Sequence, residues 1–134
     1  MSNKIKFIHP EGFIKNPAFS HIAVTGSNGN TIYIGGQNAI DKDFQIIGKG
    51  DIVQQTEYIL NNIEIALKAA DASLDNLFKL NIYILQGQDL RKGFEGAQKF
   101  LQKLSHPPLI TGVIVAGLAH PDYLVEIEAI AFKA

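Results

Sequence analysis

Two carboxylates lie inside an apolar segment near the end of the chain. Glu126 and Glu128 belong to the run Leu124-Val-Glu-Ile-Glu-Ala-Ile-Ala-Phe132, whose composition predicts a buried strand. Side chains alternate along a strand, so both carboxylates point to the same face. A buried charge is unfavourable unless it is paired or hydrogen-bonded. The two glutamates are therefore expected either on a sheet face that is open to water or in a functional cleft.

The other side chains that could do chemistry form no catalytic or metal-binding pattern. The chain has four histidines, at His9, His21, His106 and His120. Their spacing is not that of metal ligands, so we predict no metal site. His21 and His120 are the two that could reach a cleft and supply a proton, although a lone histidine is more often structural. The absence of cysteine excludes thiolate nucleophiles and disulfides, which leaves Glu126 as the strongest candidate.

Composition narrows the class of protein. A length of 134 residues predicts one domain over residues 1–134, and 46% hydrophobic residues is enough for a core. The net charge of −1 gives no electrostatic reason to expect nucleic acid or an anionic membrane as a partner. No apolar run approaches the roughly 20 residues of a membrane span, and the first residues lack the apolar core of a signal peptide. We therefore expect a cytoplasmic protein.

The first strands are predicted around a glycine-containing turn. Residues 20–24 and 31–35 are predicted strands on either side of Ser27-Asn-Gly-Asn30. An Asn-Gly pair between β-branched residues predicts a hairpin, because both turn residues can adopt positive φ. Gly35 and Gly36 interrupt the second strand, which predicts a β-bulge or a close approach by a ligand.

Two helices alternate with the later strands. The predicted elements are helices at residues 51–70 and 89–104 and strands at residues 77–85, 109–116 and 124–132. Asp51 and Asp89 can each cap the helix that follows. The prolines at 107 and 108 end the second helix. The order predicts an α+β sandwich in which two helices cover one face of a mixed sheet. The last two strands are largely apolar on both faces, so we expect the uncovered face to bind a second copy of the chain.

The sequence resembles the Rid family (reactive intermediate deaminase, also called YjgF/YER057c/UK114). The resemblance is carried by Phe19-Ser-His21, by Thr31-Ile-Tyr-Ile-Gly-Gly-Gln37 and by Leu124-Val-Glu-Ile-Glu-Ala-Ile-Ala131. It implies a chorismate-mutase-like (ferredoxin-like) fold and a homotrimer with small-molecule ligands bound in three clefts between chains. It also implies hydrolysis of enamines and imines to keto acids and ammonia without a cofactor.

The site that the resemblance implies differs from the family pattern at three positions. The family places an arginine that binds the substrate carboxylate where this chain has Ile110, a tyrosine at Phe19 and a polar residue at Phe94. Gly36 and Glu126 match the family. The implied cleft is therefore apolar with one glutamate. Such a lining would increase the proton affinity of Glu126, which could then act as an acid or base. Alternatively, Glu126 is paired with a lysine or with backbone amides across an interface and is structural.

Three functions remain open at this point. The first is a small-molecule hydrolase of the imine deaminase type with an altered substrate, since Ile110 cannot bind a carboxylate. The second is a non-catalytic trimer that binds an apolar metabolite, and the third is an interaction protein. An endoribonuclease is disfavoured, because the chain lacks a basic surface and phosphate clamps.

Overall fold

The computed structural model describes residues 5–134 as an α+β fold. The strands are β1 (Lys6–Ile8), β2 (Ile22–Val24), β3 (Asn30–Gln37), β4 (Leu77–Leu85), β5 (Leu109–Val115) and β6 (Val125–Lys133). The helices are α1 (Ile52–Ala69) and α2 (Leu90–Gln102), with one 3₁₀ turn at Leu74–Asn76. No helix in this part of the chain is long and apolar enough to cross a membrane.

The main sheet has four strands in the order β3-β6-β4-β5. Strands β4 and β5 run parallel, and the other two pairings are antiparallel, so the sheet is mixed as predicted. Strand β6 lies in the interior of the sheet, and alternate residues along it are buried beneath the helices. These are Val125, Ile127, Ala129 and Ala131. Their small or branched side chains allow the helices to pack closely against the sheet.

Both helices lie on one face of this sheet and begin at the predicted caps. The Asp51 carboxylate accepts a hydrogen bond from the backbone N–H of Gln54 at 3.2 Å, and Asp89 accepts one from Arg91 N–H at 2.9 Å. Helix α1 buries one stripe completely, including Ile59 and Ile63. This arrangement confirms the predicted two helices on one face of a mixed sheet.

The predicted hairpin between residues 20–24 and 31–35 is wrong. Strand β2 pairs with β1, with Lys6 opposite Val24, whereas β3 pairs with β6. Gly29 does not adopt the positive φ that the expected turn requires. A Cβ on Gly29 would instead lie 2.6 Å from Cζ of Phe132, so this glycine permits a close approach to the end of β6. The predicted bulge at Gly35 and Gly36 is confirmed by a register shift between Ile34 and Gln37.

The face of the sheet that bears no helix is more polar than the sequence pattern indicated. Lys79, Asn81 and Tyr83 of β4 share this open face with Glu126 and Glu128 of β6, because paired residues lie on the same side of a sheet. The most exposed large apolar side chains on this face are Tyr33 of β3, which is 76% exposed, and Val113 of the edge strand β5, which is 42% exposed.

Candidate functional site

A cavity of about 280 Å³ lies between α2 and the sheet. Phe19, Phe94 and Ile110, three of the predicted ligand-binding residues, all line this helix-side cavity. Its remaining lining includes Ile82 of β4 and Ile127 of β6. Among the described residues, no side chain that lines the cavity is charged. The structure therefore brings the three positions together and surrounds them with apolar groups.

Strand register explains why Ile110 faces this cavity. Ile110 pairs with Leu80 across the parallel β4–β5 ladder, and residues that pair in this way have side chains on the same face. Leu80 is 1% exposed and lies beneath the helices. Ile110 therefore points into the cavity that Phe19 and Phe94 also line.

Helix α2 leaves the cavity partly open. A Cβ on Gly96 would lie 2.6 Å from the carbonyl oxygen of Val53, so glycine allows α2 to rest directly on the backbone of α1. Leu90 and Phe94 of α2 remain 49% and 47% exposed, because no element of residues 5–134 covers that end of the helix.

Glu126 and Gly36 lie together on the open face of the sheet. Glu126 pairs with Tyr83, whereas its neighbour Ile127 lines the helix-side cavity, so Glu126 points the opposite way. A Cβ on Gly36 would lie 2.0 Å from Oε2 of Glu126. The glycine at the β3 bulge therefore makes room for the carboxylate of a half-buried glutamate.

Glu128 is held by two hydrogen bonds from the same chain. Its Oε1 accepts from the Tyr83 hydroxyl at 2.6 Å and from Nδ2 of Asn81 at 3.0 Å. The hydrogen bond from Tyr83, followed by that from Asn81, lowers the pKa of Glu128, and the same contact raises the pKa of Tyr83. Both hydrogen-bonding partners of Glu128 therefore lie within its own chain.

Sequence reasoning missed Asn81 and Tyr83 as partners of a carboxylate. The signal was present in β4, where Lys79, Asn81 and Tyr83 alternate with the apolar Leu80 and Ile82. Such alternation indicates a strand with one polar face. Their proximity to Glu128 depends on the pairing of β4 with β6, which the pattern of a single strand does not contain.

The predicted site residues form two groups on opposite faces of one sheet. Glu126 and Gly36 lie on the open face, and Phe19, Phe94 and Ile110 line the cavity on the helix face. Glu126 therefore does not pack against the three apolar residues of its own chain. The two groups can meet only where the open face of one chain approaches the cavity mouth of another.

His21 and His120 contact neighbouring groups of the same chain. The Nε2 atom of His21 lies 2.9 Å from the carbonyl oxygen of Ile14, and its ring lies against Phe19 with centroids 5.3 Å apart. His120 accepts a hydrogen bond at Nδ1 from the backbone N–H of Asp122 at 3.0 Å. Within residues 5–134, no group of histidine, aspartate and glutamate side chains is suited to hold a metal ion.

Comparisons with known proteins agree on one family. A family model described as endoribonuclease L-PSP matches residues 13–133. A RutC family protein of Pyrococcus horikoshii is 38% identical over 105 residues, which cover 78% of this chain and 81% of that protein. The RutC family protein UK114 of Drosophila melanogaster is 33% identical over 101 residues, covering 75% of this chain and 71% of that protein.

Solved structures agree with the sequence relatives. The Rid family protein YyfB of Yersinia pestis, whose function is unknown, superposes with a TM-score of 0.84 at 29% identity and covers 96% of this chain and 98% of its own. A member of the YjgF/YER057c/UK114 family from Mycobacterium tuberculosis gives a TM-score of 0.64 at 30% identity, over 86% of each chain.

Proposed function

We propose that this chain, which belongs to the Rid (YjgF/YER057c/UK114) family, is a small-molecule hydrolase that acts in clefts between the chains of a homotrimer. The observation that carries the proposal is the division of the site residues between two faces of the sheet. Interfaces that join two different surfaces of identical chains close into rings when the rotation permits. A ring in which each open face meets the next chain's cavity mouth would join Glu126 to an apolar ligand pocket.

The lining of the pocket favours a neutral substrate. Arginine is the residue best suited to bind a carboxylate, because its planar fork makes two parallel hydrogen bonds. This chain has Ile110 at that position, and the neighbouring Phe19 and Phe94 are also apolar. An anionic imine would lose its hydration on entering and gain no cation in return. We therefore propose an uncharged imine or enamine, rather than an amino-acid-derived one, as the substrate.

The proposed reaction is the addition of water to a C=N bond. The Glu126 carboxylate would take a proton from a water molecule while the oxygen attacks the imine carbon, and the backbone at Gly36 would orient the reacting groups. Return of that proton to nitrogen gives a carbinolamine. Transfer of the carbinolamine hydroxyl proton to the nitrogen, through Glu126, then breaks the C–N bond, forms the C=O bond and releases ammonia. The sum is one imine and one water converted to one ketone or aldehyde and one ammonia, which requires no cofactor.

A second candidate function is ligand binding without turnover. It is favoured by a specific observation, namely that a single chain already contains the complete apolar cavity, whereas the carboxylate lies on the other side of the sheet. In that case Glu126 would serve only to pair with groups in an interface between chains.

The two functions are separated by one set of measurements on the full chain. Light scattering should give about three times the chain mass of 14.7 kDa, and a monomer at micromolar concentration would contradict the assembly. Ammonia release should then be followed with neutral imines of ketones and with 2-aminoacrylate. We expect turnover of the neutral imines to fall at least tenfold in Glu126→Gln and to persist in Glu95→Gln, an exposed glutamate on α2. An unchanged rate in Glu126→Gln would identify Glu126 as structural.

A further inference from the structure

We infer that the Thr56 hydroxyl is the hydrogen-bonding anchor for a ligand in the helix-side cavity. This ligand is an uncharged, mostly apolar molecule with a single hydrogen-bonding group, such as a ketone or an alcohol. The inference rests on the proposed function only in that it uses the same cavity. It adds the residue that orients the ligand and the class of molecule that fits.

The first observation is a buried hydroxyl without a partner. Thr56 lies on α1, lines the cavity and is 3% exposed. Its Oγ1 makes no hydrogen bond to any atom of residues 5–134. Buried polar groups in folded proteins are nearly always hydrogen-bonded, because losing water without replacing it is unfavourable. A threonine hydroxyl within a helix commonly bonds to the carbonyl four residues earlier, which here is that of Ile52, but Oγ1 does not make this bond either.

The neighbouring residue shows that the fold can satisfy buried polar groups at this place. Gln55 is completely buried, yet both ends of its amide are used. Its Nε2 donates to the carbonyl oxygen of Asp122 at 2.9 Å and to that of Gly48 at 3.2 Å, and its Oε1 accepts from Leu124 N–H at 2.9 Å. Of the two residues, the one that lines the cavity, Thr56, is the one whose polar atom has no partner.

The second observation is the chemistry of the space around Thr56. The lining contributed by Phe19, Ile84, Phe94 and Ile110 is apolar, and no lining residue among those described carries a charge. An apolar cavity of about 150 Å³ stays dry and binds benzene. The present cavity of about 280 Å³ is nearly twice as large and partly open. A ligand that fills it is mostly hydrocarbon, and the hydroxyl supplies both one donor and one acceptor.

The test uses three probes of similar shape. They are acetophenone, which has one carbonyl, ethylbenzene, which has no polar group, and benzoate, which is charged. Binding to the full-length protein is followed by NMR of the isoleucine and valine methyl groups, several of which line the cavity. We expect acetophenone to bind about tenfold more tightly than ethylbenzene, the difference that one hydrogen bond of ordinary strength provides. Benzoate should not perturb these methyl groups.

Variants of Thr56 then assign the preference to the hydroxyl. Thr56→Val keeps the shape of the side chain and should remove the tenfold preference by weakening acetophenone binding, with little change for ethylbenzene. Thr56→Ser retains a hydroxyl and should retain the preference. Thr25→Val, an exposed threonine in the loop after β2 that does not line the cavity, is the control and should behave as wild type.

The outcomes separate this inference from the proposed function. If acetophenone keeps its preference in Thr56→Val, the anchor is elsewhere and the inference fails, although the cavity still binds ligand. If none of the probes perturbs the cavity methyl groups, the cavity does not take an apolar ligand and the inference also fails. Neither result depends on the turnover assay with Glu126→Gln, which tests the hydrolase independently.

Discussion

The two faces of the four-stranded sheet differ in how their polar groups are paired. On the open face, Glu128 accepts hydrogen bonds from Tyr83 and Asn81, so the carboxylate and both donors hold one another in place. On the helix face, Thr56 is the only hydroxyl-bearing residue among those described that lines the cavity, and its Oγ1 has no partner. A satisfied network fixes geometry, whereas an unpaired group in an apolar space is available to a ligand.

The difference follows from how the two faces are covered. Two helices shield the sheet, but α2 is held against α1 at Gly96, and Leu90 and Phe94 remain about half exposed beyond it. Space is therefore left beneath α2 on the helix face. The open face has no second layer in the described chain, so its polar groups can be paired by neighbours in the sheet, by water or by another chain.

The largest expected effect on the free energy of unfolding comes from breaking the contact that positions α2 against α1. Gly96→Ala would place a Cβ 2.6 Å from the carbonyl oxygen of Val53 and 2.9 Å from Cβ of Thr56, so backbone must move. Overpacking of this kind destabilises a fold by about 1–3 kcal/mol, and we expect roughly 2 kcal/mol in urea unfolding. The same displacement should change the shape of the cavity and weaken the binding of acetophenone.

The matched control for this variant is a second glycine on the same helix. A Cβ on Gly93 would lie 3.5 Å from Ile52 Cδ1, which is an ordinary contact. Gly93→Ala should therefore stabilise the protein by up to about 1 kcal/mol, since alanine is the better helix former. Equal destabilisation by both variants would show that α2 is not held in place at Gly96.

The next prediction concerns Ile110→Arg, which should allow the cavity to bind an anion. Wild-type protein should hydrolyse 2-aminoacrylate weakly or not at all, because Ile110 offers no partner for its carboxylate. Ile110→Arg should lower the free energy of unfolding by about 1–2 kcal/mol, since a cation then lies against apolar groups. It should also allow benzoate to bind, provided that Phe19 and Phe94 leave room. Ile110→Met, of similar volume but uncharged, is the control, and benzoate binding by that variant would contradict the explanation.

The parts of the fold that sequence predicted are those set by local chemistry. Asp51 and Asp89 were identified as caps because the capping bond joins residues three or fewer positions apart. The bounds of β4 followed from the alternation of apolar residues between two turns. The hairpin failed because the local preference of Gly29 was overridden by its packing against Phe132, a contact across more than 100 residues.

The division of the site between two faces could not be predicted, because it depends on strand register. Whether Ile110 and Glu126 share a face is decided by the pairing of β5 with β4 and of β4 with β6. One extra residue in a ladder reverses the face of every side chain beyond it. The structure has such irregularities between Ile34 and Gln37 and between Leu77 and Lys79. The missing partner of Thr56 is likewise visible only after all elements are packed.

Gly36→Ala, at the β3 bulge, should have a smaller effect on stability, and its effect on turnover tests the role of Glu126. Gly36→Ala would place a Cβ 2.0 Å from Oε2 of Glu126, and the carboxylate can move away because it ends a flexible side chain. We expect less than about 0.5 kcal/mol of destabilisation, typical of surface substitutions, with turnover of neutral imines reduced at least tenfold. Gly35→Ala is the control, since nothing lies within 4 Å of its added Cβ. Full activity of Gly36→Ala would separate Glu126 from the reaction.

The smallest expected effect concerns the open-face network and is confined to a range of pH. The folded chain lowers the pKa of Glu128 from its ordinary value of 4.5, mainly through the hydrogen bond from Tyr83. The ionised carboxylate therefore stabilises the fold above pH 4.5, and this contribution is lost as the pH falls through the lowered folded value. Tyr83→Phe removes the principal donor, so it should raise the pKa of Glu128 toward 4.5 and lower the melting temperature slightly at pH 7.

The pH dependence of the melting temperature is a control for the Tyr83→Phe variant. The difference in melting temperature between Tyr83→Phe and wild type should disappear in acid, where Glu128 is protonated in both proteins. Tyr58→Phe serves as the matched change on α1, because its hydroxyl bonds only weakly to the carbonyl oxygen of Ile40, at 3.4 Å, and to no carboxylate. A pH-independent loss in Tyr83→Phe would mean that Tyr83 stabilises the open face by packing. The carboxylate on that face would then be held by the Asn81 hydrogen bond alone, and the contrast between the two faces would be smaller.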